Sequence, residues 1–425
     1  VNKEAHALMN QSAIWEQQCR RYLDLNLPAT TNQNSNNDQV PADDNNRFKA
    51  HFKSLIELYG HDCILYYQRV MHCWHELTEW SKQHLPKLLS TFNEPANTAE
   101  LRKLQQTVCS ASMLQRRRFQ HFTPYFILLG QCANGQNREL ARMGLYGYYT
   151  FYNKCSSGHL LSIHDASRYS RQVIEVYGGG NESTTETLRN LWLFCAGIPT
   201  QDQLITIPCL TLMARDNGKI CKITQDSLVI HPAHGNPVSF IDHLECYVLQ
   251  HLVRNNYRVR RQFGILRFPI SDIAVSECVT KGVLCRGSPL FVPEISNVRH
   301  QNYIFPYHIE MECPTSYYDA QTEHGRKMKQ RCKECPDEAA PYQLTERKWF
   351  IEDDGELERV QGPGVIGLYP KVFVNQKLFQ YESCSQQKVP NNGKMYGFFV
   401  FQRESDTFEL EIKPYKLDWD LCQWI

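Results

Sequence analysis

Tyr303-Ile304-Phe305-Pro306-Tyr307-His308-Ile309-Glu310-Met311 alternates residue by residue. On an extended chain, Tyr303, Phe305, Tyr307, Ile309 and Met311 share one face, and His308 and Glu310 fall on the other. Phe408, Leu410 and Ile412 repeat the pattern against Glu409, Glu411 and Lys413, as do Trp349 and Ile351 against Lys348 and Phe350. Asp353-Asp354-Gly355 and Asn391-Asn392-Gly393 supply turns between such runs. About seven short strands with this spacing predict an all-β sandwich over residues 279–418. Residues 419–425 follow it as a tail.

Upstream the pattern changes. Val70, Trp74 and Leu77 keep a helical period, as do Phe48, Phe52, Leu55, Ile56 and Tyr59, and Pro86 breaks the later run. Asp216-Asn217-Gly218, between Thr206–Ala214 and Lys219–Ile223, is a hairpin signal. Ile241–Val253 returns to helix. Residues 47–278 therefore read as a helical lead-in to an α+β domain. Residues 1–25 are helical, with Leu8, Ile14, Trp15 and Tyr22 among the apolar positions. Between them, residues 26–46 are dominated by Asn, Asp, Gln and Thr, too polar to fold alone, and predict a flexible linker.

Composition narrows the function classes. The 425 residues are 42% hydrophobic and 21% charged, which fits a multidomain globular chain. Lys+Arg at 46 against Asp+Glu at 45 leaves a net charge of +1, so no global field draws in nucleic acid or an anionic membrane. No apolar run approaches the roughly 18 residues of a membrane-spanning helix. Seventeen cysteines, an odd number without framework spacing, point to a reducing compartment, cytoplasmic or nuclear. The chain starts at Val1, within a helical pattern and without a signal-peptide core, as expected of a chain lacking its true N-terminus.

Motifs that could carry chemistry have plainer readings. Gln361-Gly362-Pro363-Gly364-Val365-Ile366-Gly367 contains a literal GxGxxG. A dinucleotide site needs a following helix whose N-terminus meets the pyrophosphate, and Pro370 opposes one. Gly362, Pro363, Gly364 and Gly367 are therefore read as a loop that is structural or binds a partner. Cys332-Lys333-Glu334-Cys335 is a single CxxC; with Cys313 and His324 it offers four zinc ligands as an alternative to free thiols. His72 and His75 lie one turn apart without an HExxH frame and read as surface histidines. Arg258, Arg260 and Arg261, interleaved with Tyr257 and Phe263, could grip a phosphate backbone, but in a neutral chain a solvated face is the plainer reading. The same holds for Arg116-Arg117-Arg118. No nucleophile elbow is present. The residues favour a binding protein over an enzyme, without a cofactor.

The C-terminal third resembles an ApaG domain, which implies an immunoglobulin- or fibronectin-like β-sandwich. The resemblance lies in Tyr303–Met311, Leu344–Ile351, Val360–Gly367, Tyr381-Glu382-Ser383, Gly393–Gly397 and Ile412–Asp418. The segment 313–341 stands out as an insertion. The whole chain resembles the F-box only protein 3-like family, which joins an F-box, a SUKH-type domain and an ApaG domain. Ile14–Tyr22 resembles the end of the F-box, Trp74–Leu85 the helix leading into the middle, and Glu277–Gly282 with Phe291–Ser296 the start of ApaG. The front of the F-box has no counterpart here. The resemblance implies a helical F-box remnant, a SUKH-like α+β middle domain and an ApaG β-sandwich. It also implies a non-catalytic substrate-recognition subunit of a cullin-RING ubiquitin ligase. Such a subunit meets the Skp adaptor and cullin scaffold through the F-box and an unidentified protein substrate through the later domains. Leu8, Ile14, Trp15 and Tyr22 would serve adaptor binding or F-box packing, and weak or no adaptor binding is expected of residues 1–425. The alternatives are an interaction module outside any ligase and a small-ligand or metal-ion binding protein.

Overall fold

The computed structural model describes residues 63–92, 143–152, 154–178, 191–197, 211–214, 220–222, 239–261, 263–313, 341–373 and 379–421, with single helical positions at 182, 185 and 188. The readings made for residues 1–25, 26–46 and Phe48–Tyr59 lie outside these.

Helix α1 (Cys63–His84) buries Val70, Cys73, Leu77 and Trp80 at helical spacing and turns His72, His75, Glu79 and Lys82 to water. It stops at Leu85, whose N–H still reaches the Ser81 carbonyl at 2.8 Å. Pro86, which has no N–H to offer, opens the single turn α2 (Pro86–Leu89) at the one position where a helix does not need it. The expected break at Pro86 is thus observed. Trp74 packs edge-on against Phe92 with centroids 5.0 Å apart.

Seven strands follow, interrupted by helices: β1 (Tyr148–Phe151), β2 (Lys154–Leu160), helix α3 (Ile163–Tyr177), β3 (Leu191–Gly197), β4 (Thr211–Ala214), β5 (Ile220–Lys222), helix α4 (Phe240–Glu245), β6 (Tyr257–Arg260) and β7 (Gly264–Pro269). They form one sheet in the order β5-β4-β3-β2-β1-β7-β6. Only β1 and β7 run parallel; the rest are antiparallel. β4 and β5 pair antiparallel on either side of Asp216–Gly218, as a hairpin requires, although the turn itself lies outside the described residues. Ser162 caps α3 by accepting from the Asp165 N–H at 3.1 Å, and Ser239 caps α4 by accepting from the Asp242 N–H at 3.3 Å. Beyond Glu245 the helix widens into a π-turn over Cys246–Leu252. Its Tyr247 hydroxyl donates to the Leu145 carbonyl at 2.5 Å. Leu77, Trp80, Phe194, Leu244, Tyr247 and Val248 belong to one buried cluster that joins α1 and α4 to the sheet. Arg69 of α1 ties the same helices at the surface through Asp242 and Glu245, each at 2.5 Å.

The C-terminal part is the expected sandwich, with nine described strands where about seven were read. β8 (Ser276–Thr280), β9 (Val283–Pro289), β10 (Tyr303–Glu312) and a later β14 (Phe379–Gln387) make one sheet, ordered β14-β10-β9-β8. β11 (Tyr342–Asp353), β12 (Glu356–Pro363), the short β13 (Lys371–Val372), β15 (Gly393–Arg403) and β16 (Asp406–Leu417) make the other. In it β12 is an edge strand, and β13 pairs with β11. The alternation read in the sequence selects the residues between the sheets: Tyr303, Phe305, Tyr307, Ile309, Met311, Trp349, Ile351, Phe408, Leu410 and Ile412 are all buried there. Trp349 stands edge-on to Phe399 at 5.5 Å and to Tyr307 at 5.8 Å, linking the sheets at the centre. No described helix is long and apolar enough to cross a membrane.

Two substitutions test this packing. Phe408 lies between Tyr342, at 4.9 Å, and Phe401, at 5.3 Å. Phe408→Asp buries an unpaired carboxylate and should cost about 4 kcal/mol or more, abolishing the cooperative melt of the sandwich in a thermal scan. Gly397 sits at a register shift, where an added Cβ would lie 2.0 Å from the Lys348 carbonyl oxygen. Gly397→Ala should cost about 2–3 kcal/mol in chemical denaturation, with the lost stability confined to the sandwich.

Candidate functional site

The face of β10 opposite the sandwich core carries His308 and Glu310, and it does not meet water. Both are buried, at 2% and 3% exposure, because β6 and β7 of the preceding domain lie across that face. Arg258 of β6 donates through Nη2 to Glu310 Oε2 at 2.6 Å and through Nε to Oε1 of the same carboxylate. Arg260 donates to Glu382 Oε1 of β14 at 2.9 Å. From β9, Arg286 donates to Glu310 at 2.8 Å and to Glu277 of β8 at 2.8 Å. His308 lies between the carboxylates, with Nδ1 3.1 Å from Glu382 and Nε2 3.1 Å from Glu310, and its ring stacks on Phe268 of β7 at 5.4 Å. Apolar surface flanks this ionic layer: Tyr148, Phe151, Leu266 and Phe268 from one domain bury against Leu290, Val292 and Ile304 from the other. The Tyr149 hydroxyl donates to Glu294 at 2.9 Å and the Ser288 hydroxyl to the Pro269 carbonyl at 2.7 Å.

Burial by itself would raise the Glu310 carboxyl, but the hydrogen bonds from His308 and Arg258 outweigh it and hold the group far below the usual carboxylate range. Burial likewise opposes charge on Glu382, and His308 and Arg260 again prevail, keeping it low. Glu312, less well paired, is pushed up by burial. The Arg258–Arg260 run read as a solvated face or a phosphate grip is therefore neither: these guanidiniums are pinned on carboxylates of the sandwich. Arg267 is buried too, with its guanidinium carbon 5.3 Å from the Tyr149 ring centroid. Arg254 and Arg261 alone of this group are exposed. Sequence reasoning missed the seam, although one signal was available. A histidine and a glutamate occupy one side of an otherwise apolar strand, downstream of a short run of arginines.

The sandwich, so fixed, holds out an apolar loop. β12 is exposed nearly along its length, and after Pro363 the chain makes a tight turn into β13. Of the large hydrophobic side chains most exposed among the described residues, half lie here: Leu357 at 46%, Ile366 at 54%, Leu368 at 49% and Tyr369 at 49%. The loop is rigid. The Gly364 N–H donates to the Thr345 carbonyl at 2.9 Å, Val365 and Leu368 exchange both backbone hydrogen bonds, and Arg347 Nη1 donates to the carbonyls of Pro363 and Gly364. Gly364 has φ 56° and Gly367 φ 76°, the left-handed conformation that favours glycine. Gly364 has a second reason, since a Cβ there would lie 2.5 Å from the Leu368 carbonyl oxygen. Gly362 is an ordinary strand residue whose Cβ would only press on Arg347 at 3.3 Å. Ile366 has φ 43°, which for a β-branched residue is strained. The turn runs directly into β13, so no helix N-terminus faces these glycines, in line with the loop reading of the GxGxxG.

The remaining sequence readings divide by location. His72 and His75 are exposed on α1 as read, beside Cys73, whose thiol is pushed up to about 12 by burial. Cys313 is buried at the end of β10 and takes part in a disulfide, which removes its thiolate from the zinc alternative. His324, Cys332 and Cys335 lie outside the described residues, as do Arg116–Arg118, Leu8, Ile14, Trp15 and Tyr22. Among the described residues no three His, Cys, Asp or Glu side chains are grouped to hold a metal ion.

The loop generates a paired test. Gly364→Ala should cost about 1–2 kcal/mol in a denaturant titration, from its positive φ and the carbonyl contact. Ile366→Asn, which suits the same backbone better, should leave stability within about 0.5 kcal/mol of the parent. A large loss from the second change would mean that Ile366 serves packing and not presentation.

Known proteins resemble this one over two different spans. The ApaG domain family matches residues 293–403. Protein ApaG of Methylobacillus flagellatus is 32% identical over 130 residues, covering 30% of this chain and 83% of that protein. F-box protein SKIP16 of Arabidopsis thaliana is 24% identical over 445 residues, covering 100% of this chain and 93% of its own length. F-box only protein 3 of Homo sapiens is 22% identical over 409 residues, 94% of this chain and 73% of its own length. The likeness to the two F-box proteins runs along nearly the whole chain, while the sandwich described above coincides with the narrower match: the chain carries a domain of the ApaG family.

Proposed function

We propose that the chain is the non-catalytic substrate-recognition subunit of a Skp–cullin–F-box type ubiquitin ligase. In this reading the first 25 residues, with Leu8, Ile14, Trp15 and Tyr22, belong to the F-box side that meets the Skp adaptor and cullin scaffold. Residues 47–278 form a SUKH-like domain, and the ApaG sandwich contacts the protein to be modified. The work is done in the cytoplasm or nucleus. The observation that carries the reading is the preformed apolar loop at 364–369, held out on a sandwich that is itself fixed to the middle domain. Apolar anchors held rigidly bind protein surfaces at low entropic cost. A receptor contributes by holding its target near the transfer enzyme, and such proximity needs a fixed geometry and no catalytic groups of its own. The names of the long relatives, both F-box proteins, support the adaptor half of the proposal.

Affinity purification of the full-length protein from cells tests both halves. The Skp adaptor and cullin should co-purify with the parent and equally with a triple variant, Ile366→Asn with Leu368→Ser and Tyr369→Ser. Ubiquitinated proteins bound to the parent should fall at least about tenfold in the triple variant, the loss of roughly 1.4 kcal/mol of contact energy. Absence of adaptor and cullin from both would overturn the ligase reading. An unchanged set of bound targets would move the contact surface away from this loop.

A further inference from the structure

We propose that His308 is a proton-operated latch, whose protonation holds the ApaG sandwich docked on the middle domain and whose deprotonation loosens that docking. The inference stands on the geometry of the seam and does not depend on the ligase reading.

Every charged group facing the ring has a definite position. From β6 come Arg258 and Arg260; from β7 comes the Phe268 ring, with Arg267 buried nearby beneath Tyr149. Strand β8 brings Glu277 and β9 brings Arg286, with Ser288 directly across from His308. His308 is flanked on β10 by Glu310 and Glu312, and β14 brings Glu382 opposite it, with Cys384 beyond. Four carboxylates, Glu277, Glu310, Glu312 and Glu382, thus face the three guanidiniums Arg258, Arg260 and Arg286. A charged imidazole sits among these carboxylates as one more cation beside the arginines.

Hydrogen-bond chemistry points the same way. An ionised carboxylate only accepts, so a ring with one on each nitrogen must donate from both, and only the imidazolium can. Neutral imidazole would leave one nitrogen lone pair against a carboxylate oxygen at 3.1 Å, at a site closed to water. Although burial opposes the charge, the bonds to Glu310 and Glu382 leave His308 more basic than an ordinary histidine.

The direction with pH follows. A group whose folded value is raised contributes its full stabilisation below the unfolded histidine value of about 6.5 and loses it as pH climbs through the folded value. Glu310 and Glu382 act in the opposite direction, and only at acid pH, because their folded values are lowered. Above about pH 6.5 the loss of the His308 proton is the change in the seam that opposes docking, because its folded value is raised. The docked-to-undocked ratio should then fall by up to about tenfold per pH unit, one proton being released per molecule.

The experiment uses the full chain. Hydrogen exchange of peptides covering residues 257–260 and 303–312, corrected for the intrinsic pH dependence, is followed upward from about pH 6.5, alongside nitrogen NMR of the labelled imidazoles. Docking should weaken with rising pH, and one imidazole should remain doubly protonated past about pH 6.5 and titrate in step with the loss of protection. His308→Gln should abolish the pH dependence of protection at these peptides. Should that variant fail to fold, the wild-type NMR still decides. A His308 ring that is neutral at pH 6.5, protection that does not change with pH, or a folded His308→Gln chain with the wild-type pH profile would each overturn the latch.

Discussion

Glu310 is a carboxylate at 3% exposure, and a buried carboxylate is tolerable only where cations and hydrogen-bond donors surround it. One of those cations, Arg286, comes from its own sandwich; another, Arg258, comes from the domain before it. The two domains therefore cannot part without exposing Glu310 to a rearranged shell, and the apolar layer of Phe268, Leu266, Val292 and Ile304 would be wetted in the same motion. Surface ion pairs elsewhere, such as Lys388–Glu356 and Lys82–Glu79, sit in water and contribute little. Position, not the number of ion pairs, makes the seam the constraint on which the presentation of the loop depends.

Much of the fold was legible because period-two alternation is enforced by burial. Tyr303, Phe305, Tyr307, Ile309 and Met311 had to share a face, and they do. The same alternation hid the seam. A polar residue on the second face of a strand is ordinarily there for water, and local sequence carries no sign that another domain will cover it. Arg258 and Glu310 are 52 residues apart, and their pairing is a fact of tertiary structure. The arginine run was misread for the same reason, since charge in sequence does not say where the counter-charge lies. The loop was half legible: its glycines and Pro370 announced a turn. That Gly364 needs its left-handed backbone while Gly362 does not could be told only from the dihedral angles.

The loop also sits where self-association would be a hazard, at the end of an edge strand. Among the described strands β12 has no neighbour on its outer side, yet its side chains include Glu356, Glu358 and Arg359, and it ends in Pro363, which has no N–H. An added strand would find charge at one end and a missing donor at the other. The exposed side chains of Ile366, Leu368 and Tyr369 are thereby available to a surface of complementary shape, with extension of the sheet discouraged.

The span between the seam's partners has a consequence for how the protein is made. Arg258 emerges from the ribosome 52 residues before Glu310, and Arg260 122 residues before Glu382. At roughly 5–20 residues per second, the arginines of β6 wait from about 3 to about 24 seconds for their counter-charges. Over that interval the surface awaiting the sandwich has Phe268 and Leu266 at its centre, with guanidiniums beside them that hydrate well and repel a second nascent chain. The charges that later lock the domains together thus first act as a guard on the unfinished one.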